Sequence, residues 1–244
     1  MNIHILRSKH EIDRVVSNEL IQLVKTNPAC VLGLATGSTP LGIYGLLVKD
    51  HQNNHTSYQS VTTVNLDEYI GLEITHPETY HQFMHRNLFN HIDIKSSNTH
   101  IPNGLSQDMI QACLDYDQLL SKYVPDIQLL GIGANGHIGF NEPNTPFDST
   151  THIINLTQKT REDNARFFNN IDEVPTQAIT MGIQNIMDAK KIILIATGAS
   201  KAKAVHDMIS GDVTPSLPAS ILQKHPNVDI YLDKDAAKLL LEKK

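Results

Sequence analysis

One histidine and one glutamate share a glycine-rich loop. The run Leu129-Leu130-Gly131-Ile132-Gly133-Ala134-Asn135-Gly136-His137-Ile138-Gly139-Phe140-Asn141-Glu142-Pro143 begins as an apolar strand and empties into four glycines within nine positions. Glycines let the backbone take positive φ and come close to a ligand, and His137 stands five residues before a carboxylate, Glu142, that could orient it. A general base with its orienting partner is the chemistry this pattern offers. The same loop satisfies G-x-G-x-x-G at Gly131, Gly133 and Gly136, but a dinucleotide site needs a helix to open at the third glycine. Pro143 and Pro146 follow too soon for that, and no acidic residue ends a strand about twenty positions on. The plain alternative is a structural turn with His137 as a satisfied histidine.

Three further loops carry polar residues at the ends of strand-like runs. In Ala35-Thr36-Gly37-Ser38-Thr39-Pro40 small donors precede a proline whose fixed φ suits the first position of a helix, so Gly37, Ser38 and Thr39 could cradle a phosphate at that helix end. A plain strand-to-helix turn uses the same residue types. Asp67 follows Val61-Thr62-Thr63-Val64-Asn65-Leu66, a common station for a catalytic carboxylate and also for an ordinary cap. Lys201, in Thr197-Gly198-Ala199-Ser200-Lys201, could pair with an anion bound at the helix it opens, whereas Lys203 reads as a solvated charge. Arg161 and Arg166 lie in a polar piece within about 150–181 that fits the sheet pattern poorly, as a lid would. Either could reach a phosphate, and Arg161 could equally be an exposed, salt-bridged residue.

The elements that must position these residues alternate. Helix-like stretches at 12–24 and near 40–50, 78–90, 106–123, 157–168, 176–188, 200–210 and 234–242 separate strand-like runs near 2–6, 30–35, 61–66, 127–132, 191–196 and 228–232. Such alternation predicts an α/β fold, a three-layer sandwich around a mostly parallel, Rossmann-like central sheet, with ligands bound beyond the carboxyl ends of the strands. A length of 244 residues with 40% hydrophobic content suits a single domain spanning 1–244.

Composition excludes several classes of function. A net charge of −6 without a basic stripe argues against nucleic acid and anionic membranes. No apolar run approaches the ~18 residues of a membrane span, and Met1 to Asp13 mix charges into the pattern, so a cytoplasmic protein is expected. Cys30 and Cys113 read as reduced core residues. His81 and His85 are the one helical histidine pair, without the glutamate or third ligand of a zinc site, and neither metal nor cofactor is expected.

Two anion contacts, a strand-end carboxylate and a His–Glu pair describe a site that holds a phosphorylated metabolite while moving protons. A carboxylate shuttling a proton between adjacent carbons, with an imidazole opening a sugar ring, would perform an aldose–ketose isomerisation. Spacing does not name the sugar. The segments Leu34 to Pro40, Val64-Asn65-Leu66-Asp67-Glu68-Tyr69, Gly131 to Pro143 and Thr160 to Phe168 closely resemble the glucosamine-6-phosphate deaminase family, and the likeness runs along essentially the whole chain. The resemblance implies conversion of glucosamine 6-phosphate and water to fructose 6-phosphate and ammonia, in amino-sugar catabolism. It makes Asp67 the acid/base that enolises the open-chain sugar and His137 the group that opens the pyranose. Glu142 and Asn135 then support His137, and the 37–40 turn, Arg166 and Lys201 hold the phosphate.

Many members carry aspartate where this chain has Asn135, so the role there is a hydrogen bond that sets the imidazole orientation, with activity surviving. Members activated by N-acetylglucosamine 6-phosphate carry basic side chains just after the active-site loop, where this chain reads Thr151-His152-Ile153-Ile154-Asn155; no such activation is expected. The nearest rival, 6-phosphogluconolactonase, resembles G-H-x-x-S-L-F-P where this chain has Gly136-His137-Ile138-Gly139-Phe140-Asn141-Glu142-Pro143. A non-catalytic sugar-phosphate sensor would need no proton shuttle, and no helix-turn-helix pattern accompanies the cradle. The expected partner is a small sugar phosphate. Monomer and homo-oligomer both stay open.

Overall fold

The computed structural model describes residues 1–158, 161, 162, 165, 168 and 170–242. Its centre is a seven-stranded sheet in the order β1 (Asn2–Leu6), β10 (Val228–Asp233), β9 (Ile192–Ala196), β6 (Ile127–Leu130), β2 (Val31–Leu34), β3 (Thr62–Asn65), β5 (Thr99–His100). Every ladder in it is parallel. β6 and β9 are buried along their whole length, which is why they read as continuous apolar runs instead of alternating ones. From β2 the chain builds outward through β3 and β5, then returns to place β6 on the other side of β2. That reversal makes the carboxyl ends of β2 and β6 the switch point of the sheet, where a crevice forms.

Each face of the sheet is covered. One core packs α1 (Lys9–Thr26), α2 (Leu41–Asn54) and α3 (Tyr80–Asn87) through Ile12, Val16, Leu20, Ile43, Leu47 and Met84. α1 forms because these apolar residues fall at helical spacing and Ser8 caps it, accepting from the Glu11 N–H at 3.3 Å. The other core packs α4 (Met109–Lys122), α5 (Ile183–Met187) and α6 (Ala202–Ser210) through Tyr116, Leu120, Ile186, Val205 and Met208. A last short helix, α7 (Lys238–Leu241), follows β10. The fold is thus the three-layer α/β sandwich predicted from the alternation, and both cysteines are buried and free.

The sequence did not announce a second sheet. β4 (Asp67–Tyr69) pairs antiparallel with β8 (Gln177–Thr180), which pairs antiparallel with β7 (His152–Asn155). The helix expected over 176–188 is therefore a strand followed by the short α5. Ile179, Ile183, Ile186 and Met187 fall at spacings compatible with a helix, but the β4 ladder and the Met181 N–H bond to Leu66 O at 2.7 Å take the first half. β7 and β8 also lie inside the segment expected as a lid. The helix expected at 157–168 falls largely outside the described residues.

Candidate active site

The loops after β2, β3, β6 and β9 meet in one cleft of about 440 Å³ at the switch point. Gly37, Thr39, Asp67, His137 and Lys201 line it, together with Tyr80 and Phe140. Five of the nine residues singled out from sequence thus face a common space. Ser38 lines an adjoining cavity of about 430 Å³ that shares Gly37 and Tyr80 with the cleft. Glu142 and Asn135 stand behind His137, and Arg166 lies outside the described residues.

The strand ends are pinned from both layers. Tyr44 on α2 donates its hydroxyl to Ala35 O at 2.6 Å, and Tyr116 on α4 donates to Asn65 O at 2.6 Å. Beyond Ala35, Gly37 turns the chain at φ +81°, a conformation that favours glycine. Lys9 braces the turn from behind, donating to Thr39 O at 3.1 Å while paired with Asp13 at 2.9 Å. Pro40 is the residue before α2, not its first helical position, and it provides no side-chain cap. Gly198, at φ +86°, leads β9 into the turn that carries Lys201, and its N–H is held by Asp233 at 3.1 and 3.0 Å.

Asp67 opens β4, opposite Thr180 of β8. It is only 7% exposed. Burial, and then the charge of Glu68, push its pKa up to about 8. A carboxyl that exchanges a proton near neutral pH is suited to acid–base work, and this one lines the cleft. Gly139, at φ +58°, lies against it: a Cβ there would stand 3.8 Å from Asp67 Oδ2 and 3.3 Å from Thr180 Oγ1.

The histidine loop is folded upon itself. Gly133 N–H donates to His137 O at 2.9 Å, His137 N–H donates to Asn135 Oδ1 at 3.2 Å, and Gly136 turns the chain at φ +84°. His137 Nδ1 stands 3.7 Å from Glu142 Oε1, while Asn135 Nδ2 donates to Glu142 Oε2 at 2.7 Å. Asn135 thus orients the carboxylate that in turn faces the imidazole. The loop is anchored through Asn141, whose amide donates to Ile138 O and Met181 O, each at 2.9 Å.

Several groups that build the site carried no local signal. Tyr80, Thr180 and the Lys9–Asp13 pair come from α3, β8 and α1, and only the packing of α3 on β4, the β4–β8 ladder and the α1–α2 packing bring them close, while Glu68 follows Asp67 on β4 and shows its role only through its bonds to α3. Arg161 turns one guanidinium nitrogen, Nη2, to the backbone, donating to Ile171 O at 2.9 Å and Val174 O at 3.2 Å. Lys203 pairs with Asp207 on the surface, as its sequence position suggests. Ring centroids of His81 and His85 lie 4.5 Å apart, and among the described residues no group of three or more metal-ligating side chains converges.

A buried carboxyl facing an imidazole across a switch-point crevice defines a Rossmann-like α/β protein equipped for proton transfer. Comparison with known proteins narrows the class. The model of the family described as glucosamine-6-phosphate isomerases/6-phosphogluconolactonase matches residues 8–230, and the chain belongs to that family. A relative named glucosamine-6-phosphate deaminase from Halalkalibacterium halodurans is 50% identical over 235 residues, covering 95% of this chain and 96% of the relative. Another of that name, from Clostridium novyi (strain NT), is 48% identical over 98% of this chain and all of its own. The solved structure of a monomeric glucosamine-6-phosphate deaminase superimposes with a TM-score of 0.95 at 46% identity, covering 98% of this chain and 100% of that one. A 6-phosphogluconolactonase from Trypanosoma brucei shares the fold, with a TM-score of 0.79 at 18% identity over 98% of both chains.

Proposed function

We propose that this chain is a glucosamine-6-phosphate deaminase, converting glucosamine 6-phosphate and water to fructose 6-phosphate and ammonia. The observation that carries the reading is that buried Asp67 shares one cleft with His137, which Glu142 backs, and with Lys201, Gly37 and Thr39. The relatives that match along nearly the whole chain at 46–50% identity support it.

In this mechanism the 37–40 turn, Lys201 and Arg166 hold the phosphate. His137, oriented by Glu142 and Asn135, takes the proton of the anomeric hydroxyl and returns a proton to the ring oxygen, which opens the pyranose. Asp67 then removes the proton from C2 and delivers one to C1, so the aldose becomes a ketose imine through an enolamine. Water adds at C2, the C–N bond breaks, and the nitrogen leaves as ammonia. Neither a redox change nor a covalent enzyme intermediate is needed. We further propose that 1–244 works as one catalytic unit. β7 and β8, near the two ends of the 150–181 segment, are laddered into the sheet that carries Asp67.

The test is release of ammonia and fructose 6-phosphate from glucosamine 6-phosphate, with hydrolysis of 6-phosphogluconolactone measured on the same sample. Equimolar release of both products supports the proposal. Lactone hydrolysis alone, or silence in both assays, refutes it.

A further inference from the structure

On β4, successive side chains point to opposite faces of the strand. Asp67 faces the cleft. Glu68 faces the other way, into a separate cavity of about 310 Å³ that it lines with Thr79, His81 and Pro102. Only 6% exposed, the Glu68 carboxylate reaches the start of α3. Its Oε1 accepts from the Tyr80 N–H at 2.9 Å and the Tyr69 N–H at 2.8 Å, and its Oε2 accepts from the His81 N–H at 2.9 Å. The Tyr80 and His81 N–H groups are ones that the first turn of a helix leaves unpaired, and they prefer a negative partner, while the Tyr69 N–H belongs to β4 itself. Tyr80, whose N–H it holds, lines the catalytic cleft on the far side.

We propose that Glu68 is a positioning residue for proton transfer: from outside the substrate cavity it ties β4 to α3, and it fixes a negative charge beside Asp67 that makes the Asp67 carboxylate a stronger base. The inference rests on the deaminase reading for its kinetic part only. Burial raises the pKa of Glu68 while the three N–H groups oppose the rise, and with both oxygens accepting from N–H donors the ionised form is the one its surroundings fit. Other titratable groups around Asp67 are Tyr69 on its own strand, Tyr80 on α3, Tyr116 on α4, and His137 and Lys201 across the cleft. Burial raises the pKa of all three tyrosines, so among the described residues Glu68 is the neighbour whose charge raises that of Asp67.

The experiment compares the full-length wild type with E68Q and T79A. Thr79 caps the same helix, accepting from the Gln82 N–H at 3.1 Å, so T79A loosens α3 without changing charge. The expected result for E68Q is an acidic limb of kcat/KM moved about one unit lower, with kcat down roughly threefold to tenfold, because a weaker base needs less alkali to ionise but abstracts protons more slowly. T79A should lower kcat with the limb unmoved. A limb that stays in place in a folded E68Q overturns the proposal. A second measurement needs neither a variant nor turnover: carbon-13 NMR titration of the substrate-free wild type should show Glu68 ionising at lower pH than Asp67. The reverse order overturns the proposal even in a protein that deaminates glucosamine 6-phosphate, and the expected order would hold even if that substrate were wrong.

Discussion

His137 lies flat against Gly133: a Cβ placed on Gly133 would stand 2.3 Å from Nδ1 and Cε1 of the imidazole. Gly133 does not require positive φ, so its missing side chain serves the histidine and not the backbone. Gly133→Ala should therefore leave the fold intact and push the ring away from Glu142. Displacement of a catalytic group by about 1 Å costs on the order of 100-fold, so kcat/KM should fall by about that factor while circular dichroism and Tm stay near wild type. Wild-type activity in G133A would remove His137 from the reaction.

Asp67→Asn keeps the shape of the side chain but cannot exchange a proton. Turnover should fall by about 10²–10⁴, the usual contribution of a positioned acid–base group, with KM little changed. Steady-state kinetics at saturating glucosamine 6-phosphate decide this, and a variant within threefold of the wild-type kcat would exclude Asp67 from the chemistry.

The same variant should be more stable than the wild type in alkali. Asp67 has a folded pKa of about 8, above the ordinary aspartate value of 3.8, so the native state holds its proton more tightly than the unfolded chain. Stability is then lost as pH rises between those two values, because the buried carboxylate must ionise beside Glu68 with no ion pair among the described residues. D67N escapes that loss. Its Tm should match the wild type near pH 4 and exceed it above pH 8 by at least about 2–4 °C, the shift that 1 kcal/mol produces in a domain of this size. Equal melting curves at both pH values would mean that the carboxyl is not destabilised by folding.

The Asn135–Glu142 hydrogen bond of 2.7 Å gives a third mutational test. Asn135→Ala removes the hydrogen bond to Glu142 Oε2 and should reduce kcat/KM by about 10- to 150-fold, the effect of losing one hydrogen bond to a charged group. The loss should appear mainly in kcat. A rise in KM alone would instead place Asn135 among the substrate contacts.

Lys201 enters the cleft at the end of β9, where an anion would meet it. Lys201→Ala should raise KM about tenfold or more for glucosamine 6-phosphate with a smaller change in kcat, and inorganic phosphate should compete less well against the variant. Unchanged kcat/KM would remove Lys201 from the phosphate site.

Six strands of the parallel sheet were legible because each is a short run rich in β-branched residues or leucine that stands between helical stretches; five of them are buried, while β1, at the sheet edge, leaves Ile3 and Ile5 exposed. β5 was not, since Thr99–His100 is too short to show a pattern. The β4–β8–β7 sheet escaped for a different reason. Asp67-Glu68-Tyr69 is polar and buried, so it reads as a loop, and its strand character comes from pairing with residues more than a hundred positions away. The four loops that form the cleft were legible from where apolar runs stop. What sequence could not supply was the support around them: Tyr44 and Tyr116 on the strand ends, Glu68 under α3, and Thr180 opposite Asp67. Each of those depends on distance in space, which no spacing along the chain encodes.

The most direct test of the account is to run the reaction in D₂O with the wild type and D67N and to read the products by NMR. The account predicts that the wild type forms fructose 6-phosphate enriched in deuterium at C1, with one ammonium per ketose, and that D67N forms neither at a comparable rate. Ammonium released without the ketose, or equal deuterium incorporation by D67N, would contradict it.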